Sequence, residues 1–333
     1  MDEKQFFTEK VLAAKADLSQ KEIVDYLALI RHETVTRPVV YIGSGTCGKV
    51  AGADDTLAAI NRYLYEKNIQ AEIVQVGCIG LCTYEPIVDI QLPGKARISF
   101  HNITHELVEP IFDDIFNSEV PDDHVLGQFE NKRHNRWENV ANISELPFFK
   151  YQHRIVLANC GISNPDSITD YLARGGYQTY LKCIRNYTGE KICEIVSQSG
   201  LRGRGGGGYH TGEKWEMAHN AVSDQKYLIC NAAESDPGAF MDRAVIEGDP
   251  YLLLEGIAIA AYAIGATKAY IYVMDEYSQA YFMLNQAINQ LKEYGFLGYN
   301  IFDSGTDLKI MLVRGPGAFV CGEETALINS IEG

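Results

Sequence analysis

Three groups of residues in this 333-residue chain have types and spacings suited to chemistry. The first is a set of cysteines on two glycine-rich turns. Cys47 lies in Gly43-Ser-Gly45-Thr-Cys47-Gly48, and Cys78-x3-Cys82 lies in Gly77-Cys-Ile-Gly-Leu-Cys82. Each turn follows a β-branched run, so three soft sulfur donors meet at strand ends, as a soft-metal or iron–sulfur site requires. The second group is Ser199-Gly-Leu-Arg-Gly-Arg-Gly-Gly-Gly-Gly-Tyr-His-Thr-Gly-Glu-Lys-Trp215, with seven glycines beside Arg202, Arg204 and Lys214. Glycine admits positive φ and close backbone approach, so such a loop can wrap its amides around an anion while the cations balance the charge. It is not a P-loop, because Trp215 stands where Ser or Thr would follow the lysine. The third group is a pair of acidic loops, Asn231-Ala-Ala-Glu234-Ser-Asp236 and Gly322-Glu323-Glu324. Their carboxylates suit sugar hydroxyls or a carboxamide. Without chemistry, the same residues are structural thiols, a flexible surface loop and solvated charge. No Ser/His/Asp triad, H-E-x-x-H or paired acid–base motif competes for a catalytic role.

The elements that must position these groups fall into two blocks. Ser19-x-x-Glu22 reads as a capping box opening a helix within 1–37. A first domain, 38–118, follows as strand (39–42), helix (56–67), strand (72–76), a hairpin of 87–92 and 96–100 around Pro93-Gly94, and a helix near 106–116. Residues 119–146 are polar, lack a sustained period and read as a linker. A second domain, 147–333, alternates strands (227–230, 268–273, 307–313) with helices (251–264, 276–293), which predicts a parallel sheet with helices on its faces. The glycine loop and both acidic loops then border the carboxyl edge of that sheet, where open α/β sheets bind ligands. The fold class is therefore α/β in both domains.

Composition excludes several classes. Hydrophobic content of 46% and charged content of 22% describe an ordinary globular chain. A formal net charge of −15 argues against nucleic acid or an anionic membrane surface as partner. The N-terminus lacks a signal-peptide layout, and the longest apolar stretch, 252–264, is too short to span a bilayer and contains Glu255. A cytoplasmic chain without membrane insertion is expected. In a reducing compartment the eight cysteines are not a disulfide framework, and Cys160, Cys183, Cys193, Cys230 and Cys321 read as small buried hydrophobes. The 43–48 turn also matches G-x-G-x-x-G, but the next strand ends in the cysteine pair rather than in the acidic residue a Rossmann dinucleotide site uses.

The strings TCGKVAGA, VGCIGLCTYEPIVDI and PGKARISF resemble the thioredoxin-like [2Fe-2S] ferredoxin domain. SGLRGRGG, NAAESDPGAF-x-DR and CGEETALINSIEG resemble the NADH-binding flavoprotein (51 kDa-type) subunit of complex I and of NAD-linked hydrogenases. The resemblance implies a thioredoxin-like ferredoxin domain followed by a Rossmann-like FMN/NADH-binding domain. It implies that hydride passes from NADH to FMN and electrons go on to iron–sulfur partner subunits. Gly203, Arg204, Gly205 and Lys214 would then hold the FMN phosphate and ring edge, with Asn231, Glu234 and Gly322 on the flavin and its ribityl chain. Gly206, Tyr209, Asp236 and Glu324 would face NADH, with Glu323 between the two sets. Cys47, Cys78 and Cys82 would be cluster ligands.

The sequence departs from the family at four points. Ile42 occupies the position of the fourth thiolate, Ala233 stands where Asp is usual, and Asp236 replaces the commoner Glu. The C-x2-C-x2-C run of the family's [4Fe-4S] domain is not encoded, so the chain is expected to be C-terminally truncated. The departures leave a second expectation open: a non-catalytic electron-transfer or assembly fragment that binds no cofactor.

Overall fold

A computed structural model describes residues 2–236 and 238–333. The chain forms two compact units. One comprises Leu18–Arg174 and Glu247–Asp249; the other comprises Met1–Asp17, Gly175–Ile246 and Pro250–Gly333.

The first unit is built on a five-stranded sheet, β1 (Val39–Gly43), β2 (Glu72–Val76), β3 (Val88–Gln91), β4 (Ile98–Phe100) and β5 (Val125–Gln128), in the order β2-β1-β3-β4-β5. β1 pairs parallel with β2 and antiparallel with β3, and β4 is antiparallel to β3. A βαβ half followed by a ββα half, with β3 opposed to β1, β2 and β4, is the thioredoxin-like arrangement. β1 is apolar throughout because both of its faces are covered. Val40 and Ile42 face a core with Ile60, Ile90, Phe100, Phe112 and Ile115, while Val39 and Tyr41 pack with Val35, Val74 and Val76 on the other face.

The 119–146 stretch, expected as linker, instead contributes β5 at the edge of this sheet. It also supplies Trp137, whose indole N–H donates to the Ala96 carbonyl at 2.7 Å. Gln128 ties the stretch down by donating to the carbonyls of Trp137 and Val140. Residues 147–174, expected to open the second domain, also fall in this unit. The helix Lys21–Ile30 begins behind Gln20, whose side chain makes no capping hydrogen bond, one residue later than the Ser19/Glu22 capping box would start it.

The second unit carries three parallel strands in sequence order, β6 (Tyr227–Ala232), β7 (Lys268–Met274) and β8 (Lys309–Gly315). The helices Pro250–Ile264 and Ser278–Glu293 make the crossovers. Glu255, buried within the first of them, accepts the backbone N–H groups of Tyr177 and Tyr180 at the start of the helix Gln178–Asn186, satisfying donors that the helix cannot satisfy itself. No helix among the described residues is long and apolar enough to cross a membrane.

Candidate functional site

In the thioredoxin-like unit the turns after β1 and β2 bring the three cysteines together. The sulfurs of Cys47, Cys78 and Cys82 all lie within 4.8 Å of one another, with Cys78 and Cys82 3.7 Å apart. Cys78 is the natural thiolate of the set. The Cys47 thiol hydrogen-bonds to it and the backbone N–H of Gly80 donates to its sulfur at 3.2 Å, which lowers its pKa to about 6. Cys47 is shifted upward, first by that same hydrogen bond and then by burial.

A residue the sequence did not single out completes this corner. Glu85 is 5% exposed, and its Oε1 lies 3.7 Å from the Cys47 sulfur while its Oε2 accepts the Ile87 N–H at 2.8 Å. Burial pushes its carboxyl up to about 8. The glycines of the 43–48 turn make room for it. A Cβ on Gly43 would lie 2.7 Å from Glu85 Oε2, and one on Gly48 would lie 2.0 Å from the Gly43 carbonyl oxygen. These glycines therefore serve local packing and the carboxylate rather than a dinucleotide. The first turn is further fixed by Glu247, which accepts from the backbone N–H of Thr46 at 2.8 Å and from its hydroxyl.

A [2Fe-2S] cluster takes four protein ligands, two on each iron. Ile42 is fully buried in the β1 core, offers no donor atom, and leaves three thiols in its stead. Three thiols stand together where a four-thiolate binuclear cluster takes four, so the residues present do not fit that cluster.

In the parallel-sheet unit the expected residues gather beyond the carboxyl ends of the strands. Asn231, at the end of β6, donates from its side chain to the Gly322 carbonyl at 3.0 Å, and its Oδ1 accepts the Ala233 N–H. Glu323 caps the helix Glu324–Glu332 by accepting the Ala326 N–H at 3.0 Å, and the backbone N–H groups of Thr325 and Ala326 hold its carboxyl below the usual range. Lys214, on the helix Thr211–Asn220, forms a 3.5 Å ion pair with Glu324. Glu234 is buried and accepts the N–H groups of Asp242 and Arg243 at the start of the helix Met241–Gly248, while the Tyr277 hydroxyl donates to its carbonyl. Its carboxylate is thus a positioning anchor as much as a ligand group. Burial, assisted by Glu234, pushes neighbouring Asp242 up to about 6.

The glycine loop is open. Gly203 donates its N–H to the Tyr209 carbonyl, Arg202 donates to the Gly208 carbonyl, and Arg204 donates to the Arg202 carbonyl. Nothing lies within 4 Å of where a Cβ would stand on Gly205, Gly206, Gly207, Gly208 or Gly322, and Gly206 and Gly208 have φ of 102° and 60°. That exposed, side-chain-free backbone, followed by the helix that carries Lys214, fits a phosphate-bearing planar ligand such as FMN. Tyr209 and Asp236 stand exposed on their loops, without side-chain hydrogen bonds among the described residues. Gly212 is different. It is buried, and a Cβ there would lie 2.2 Å from Ser197 Cα, so it serves helix packing rather than the anion loop.

The second unit is thus a parallel α/β ligand-binding unit with a glycine-loop site at its carboxyl edge. Residues 196–333 match the family described as the Nuo51 FMN-binding domain. The HndC component of the NADP-reducing hydrogenase of Solidesulfovibrio fructosivorans is 53% identical over 184 residues, 55% of this chain and 37% of that one. A component of the NADH-quinone oxidoreductase of Aquifex aeolicus is 54% identical over 167 residues, 50% of this chain and 39% of that one. The chain thus matches well under half the length of these relatives. An NAD+-reducing [NiFe]-hydrogenase structure aligns over 96% of this chain and 52% of its own, at 21% identity and a TM-score of 0.44.

Proposed function

We propose that the parallel-sheet unit binds FMN and NADH and serves as the NADH-oxidising (diaphorase) flavoprotein module of a larger complex of the complex I or NAD-linked hydrogenase type. The observation that carries this reading is the open 203–208 backbone, within a stretch that also holds Lys214 and matches an FMN-binding family. FMN, when bound, supplies the hydride-accepting ring, so no side chain need act as acid or base.

In this reading the chain's residues hold and orient. Gly203, Arg204, Gly205 and Lys214 take the phosphate and ring edge. Lys214 can do so because its pair with Glu324 is exposed at both ends and worth at most about 1 kcal/mol, less than a charge-assisted phosphate contact. Asn231, Glu234 and Gly322 line the flavin side. Gly206, Tyr209, Asp236 and Glu324 line the nicotinamide side, with Glu323 between, its carboxylate held ionised by the helix it caps. Electrons pass to iron–sulfur partner subunits. The location is cytoplasmic, in keeping with eight free cysteines.

The test is uptake of FMN by the purified chain, followed by quenching of flavin fluorescence and bleaching by NADH. A bulky residue at Gly206 should block NADH more than FMN. A folded chain that takes up no FMN overturns the reading and leaves a non-catalytic electron-transfer or assembly module.

A further inference from the structure

The turn that carries Cys78 and Cys82 lies outside the flavin reading and can be judged without it. Three thiols do not fit a four-thiolate cluster, which leaves the sulfurs to their own chemistry. Cys78 and Cys82 share one turn, three residues apart in sequence, and their sulfurs stand 3.7 Å from each other. A disulfide joins its sulfurs at about 2.05 Å. Rotation of the two side chains about their Cα–Cβ bonds closes that gap.

The backbone of the turn is held independently of the sulfurs. Gly80 takes a φ of 95°, which lets the chain double back between the two cysteines. Arg154 donates to the Ile79 carbonyl at 2.8 Å, and Ile79 and Leu81 pack with Ile87 and Leu126. The fold therefore presents the two thiols to each other. Their access differs, because Cys82 is half-buried and Cys78 buried, so a reagent from solvent reaches Cys82 first. Cys47 is the competing partner, within 4.8 Å of both. It sits on a separate turn anchored through Thr46 to Glu247, and a bond to it would draw two anchored turns together.

We propose that Cys78 and Cys82 are a reversible disulfide site, oxidised by low-molecular-weight disulfides of the glutathione type. The Cys82 sulfur attacks one sulfur of the small disulfide, and the other sulfur leaves as a thiol with the Cys82 proton. The Cys78 sulfur then attacks the Cys82 sulfur, the mixed disulfide breaks, and a second small thiol leaves with the Cys78 proton. Two electrons pass from the cysteine pair to the small disulfide. In a reducing compartment the bond is transient and forms only when the thiol pool is oxidised.

The experiment uses the full chain, purified anaerobically, assayed for iron and sulfide, and equilibrated with mixtures of reduced and oxidised glutathione. Free thiols are then alkylated in denaturant and the chain is cut with trypsin. Cys78 and Cys82 fall in one peptide, 68–95, and Cys47 in another that ends at Lys49. Peptide 68–95 should lose two hydrogens and take no alkyl group, while the buried Cys160, Cys183, Cys193 and Cys321 stay alkylated. Doubling reduced glutathione at fixed oxidised glutathione should lower the ratio of disulfide to dithiol about fourfold, where a mixed disulfide would fall only about twofold. Cys78→Ser should trap the glutathione adduct on Cys82. If that variant does not fold, the map and the glutathione dependence of the unaltered chain decide. Three results would overturn the proposal: both cysteines alkylated at the most oxidising mixture, a link from 68–95 to the Cys47 peptide, or two irons and two sulfides per chain as purified.

Discussion

The two candidate sites are held by opposite means. In the sulfur–carboxylate corner Cys78 and Glu85 are buried, Cys47 and Cys82 half-buried, and the groups are pinned by backbone N–H groups of Gly80 and Ile87 and by glycines that leave no spare volume. The flavin site is open, with exposed glycines at 205–207 and a lysine held only by an exposed glutamate. The difference follows from ligand size. A metal centre is small enough for folding to bring its sulfur donors together in advance, whereas a flavin and a dinucleotide need a surface they can enter. Rigidity is invested where the ligand is a point, and access where it is a plane.

The sharpest way to break this contrast is to add one methyl group to each site. Gly48→Ala places a Cβ 2.0 Å from the Gly43 carbonyl and should cost about 3 kcal/mol or more of unit stability. Gly206→Ala meets nothing within 4 Å and should cost only about 1–2 kcal/mol, from its φ of 102°. Trp137 and Trp215 are the chain's two tryptophans, one in each unit, so single-tryptophan variants followed in denaturant separate the effects. Equal losses would abolish the distinction.

Lys214→Ala sharpens it from the ligand's side. FMN affinity should fall by about 1.5–3 kcal/mol, roughly ten- to a hundredfold, while stability changes by less than about 1 kcal/mol. Fluorescence titration beside a thermal melt reads both. A melt shift as large as the binding loss would mean that Lys214 is structural.

The smallest effect concerns acid. Contacts with His32 and Arg37 lower Glu72 from its ordinary 4.5 to about 2. Between those values the unfolded chain binds the proton and the folded one does not. This contribution is therefore full above pH 4.5 and is lost as the pH falls toward 2. Partial exposure keeps it to about 1 kcal/mol. Glu72→Gln should flatten that part of the pH–stability curve of the unit carrying Trp137, and an unchanged curve would dismiss the contact.

Much of this was legible in sequence because local patterns carry it. The run EIVQV coincides with β2, the β-branched run at 39–42 marked β1, and the cysteines sat on turns that strand pairing was bound to bring together. What escaped depends on distant partners. Glu85 was one acid before a proline until folding set it against Gly43 and Gly48. β5 is four residues long, contains Gly127, and exists because β4 offers it an edge. Gly212 looked like part of an anion loop because glycine that permits helix contact and glycine that permits positive φ are the same letter.

The Lys214–Glu324 pair has a further consequence for how ionic strength acts on the flavin site. If a phosphate takes the lysine, one ion pair is exchanged for another and the number of paired charges is conserved. Added salt weakens both partners of the exchange, so its two effects oppose each other. FMN affinity should therefore respond to salt less steeply than a phosphate contact made by an unpaired lysine would. Removing Glu324 would make the dependence steeper, turning a nearly salt-indifferent site into a salt-sensitive one without altering a single contact to the phosphate.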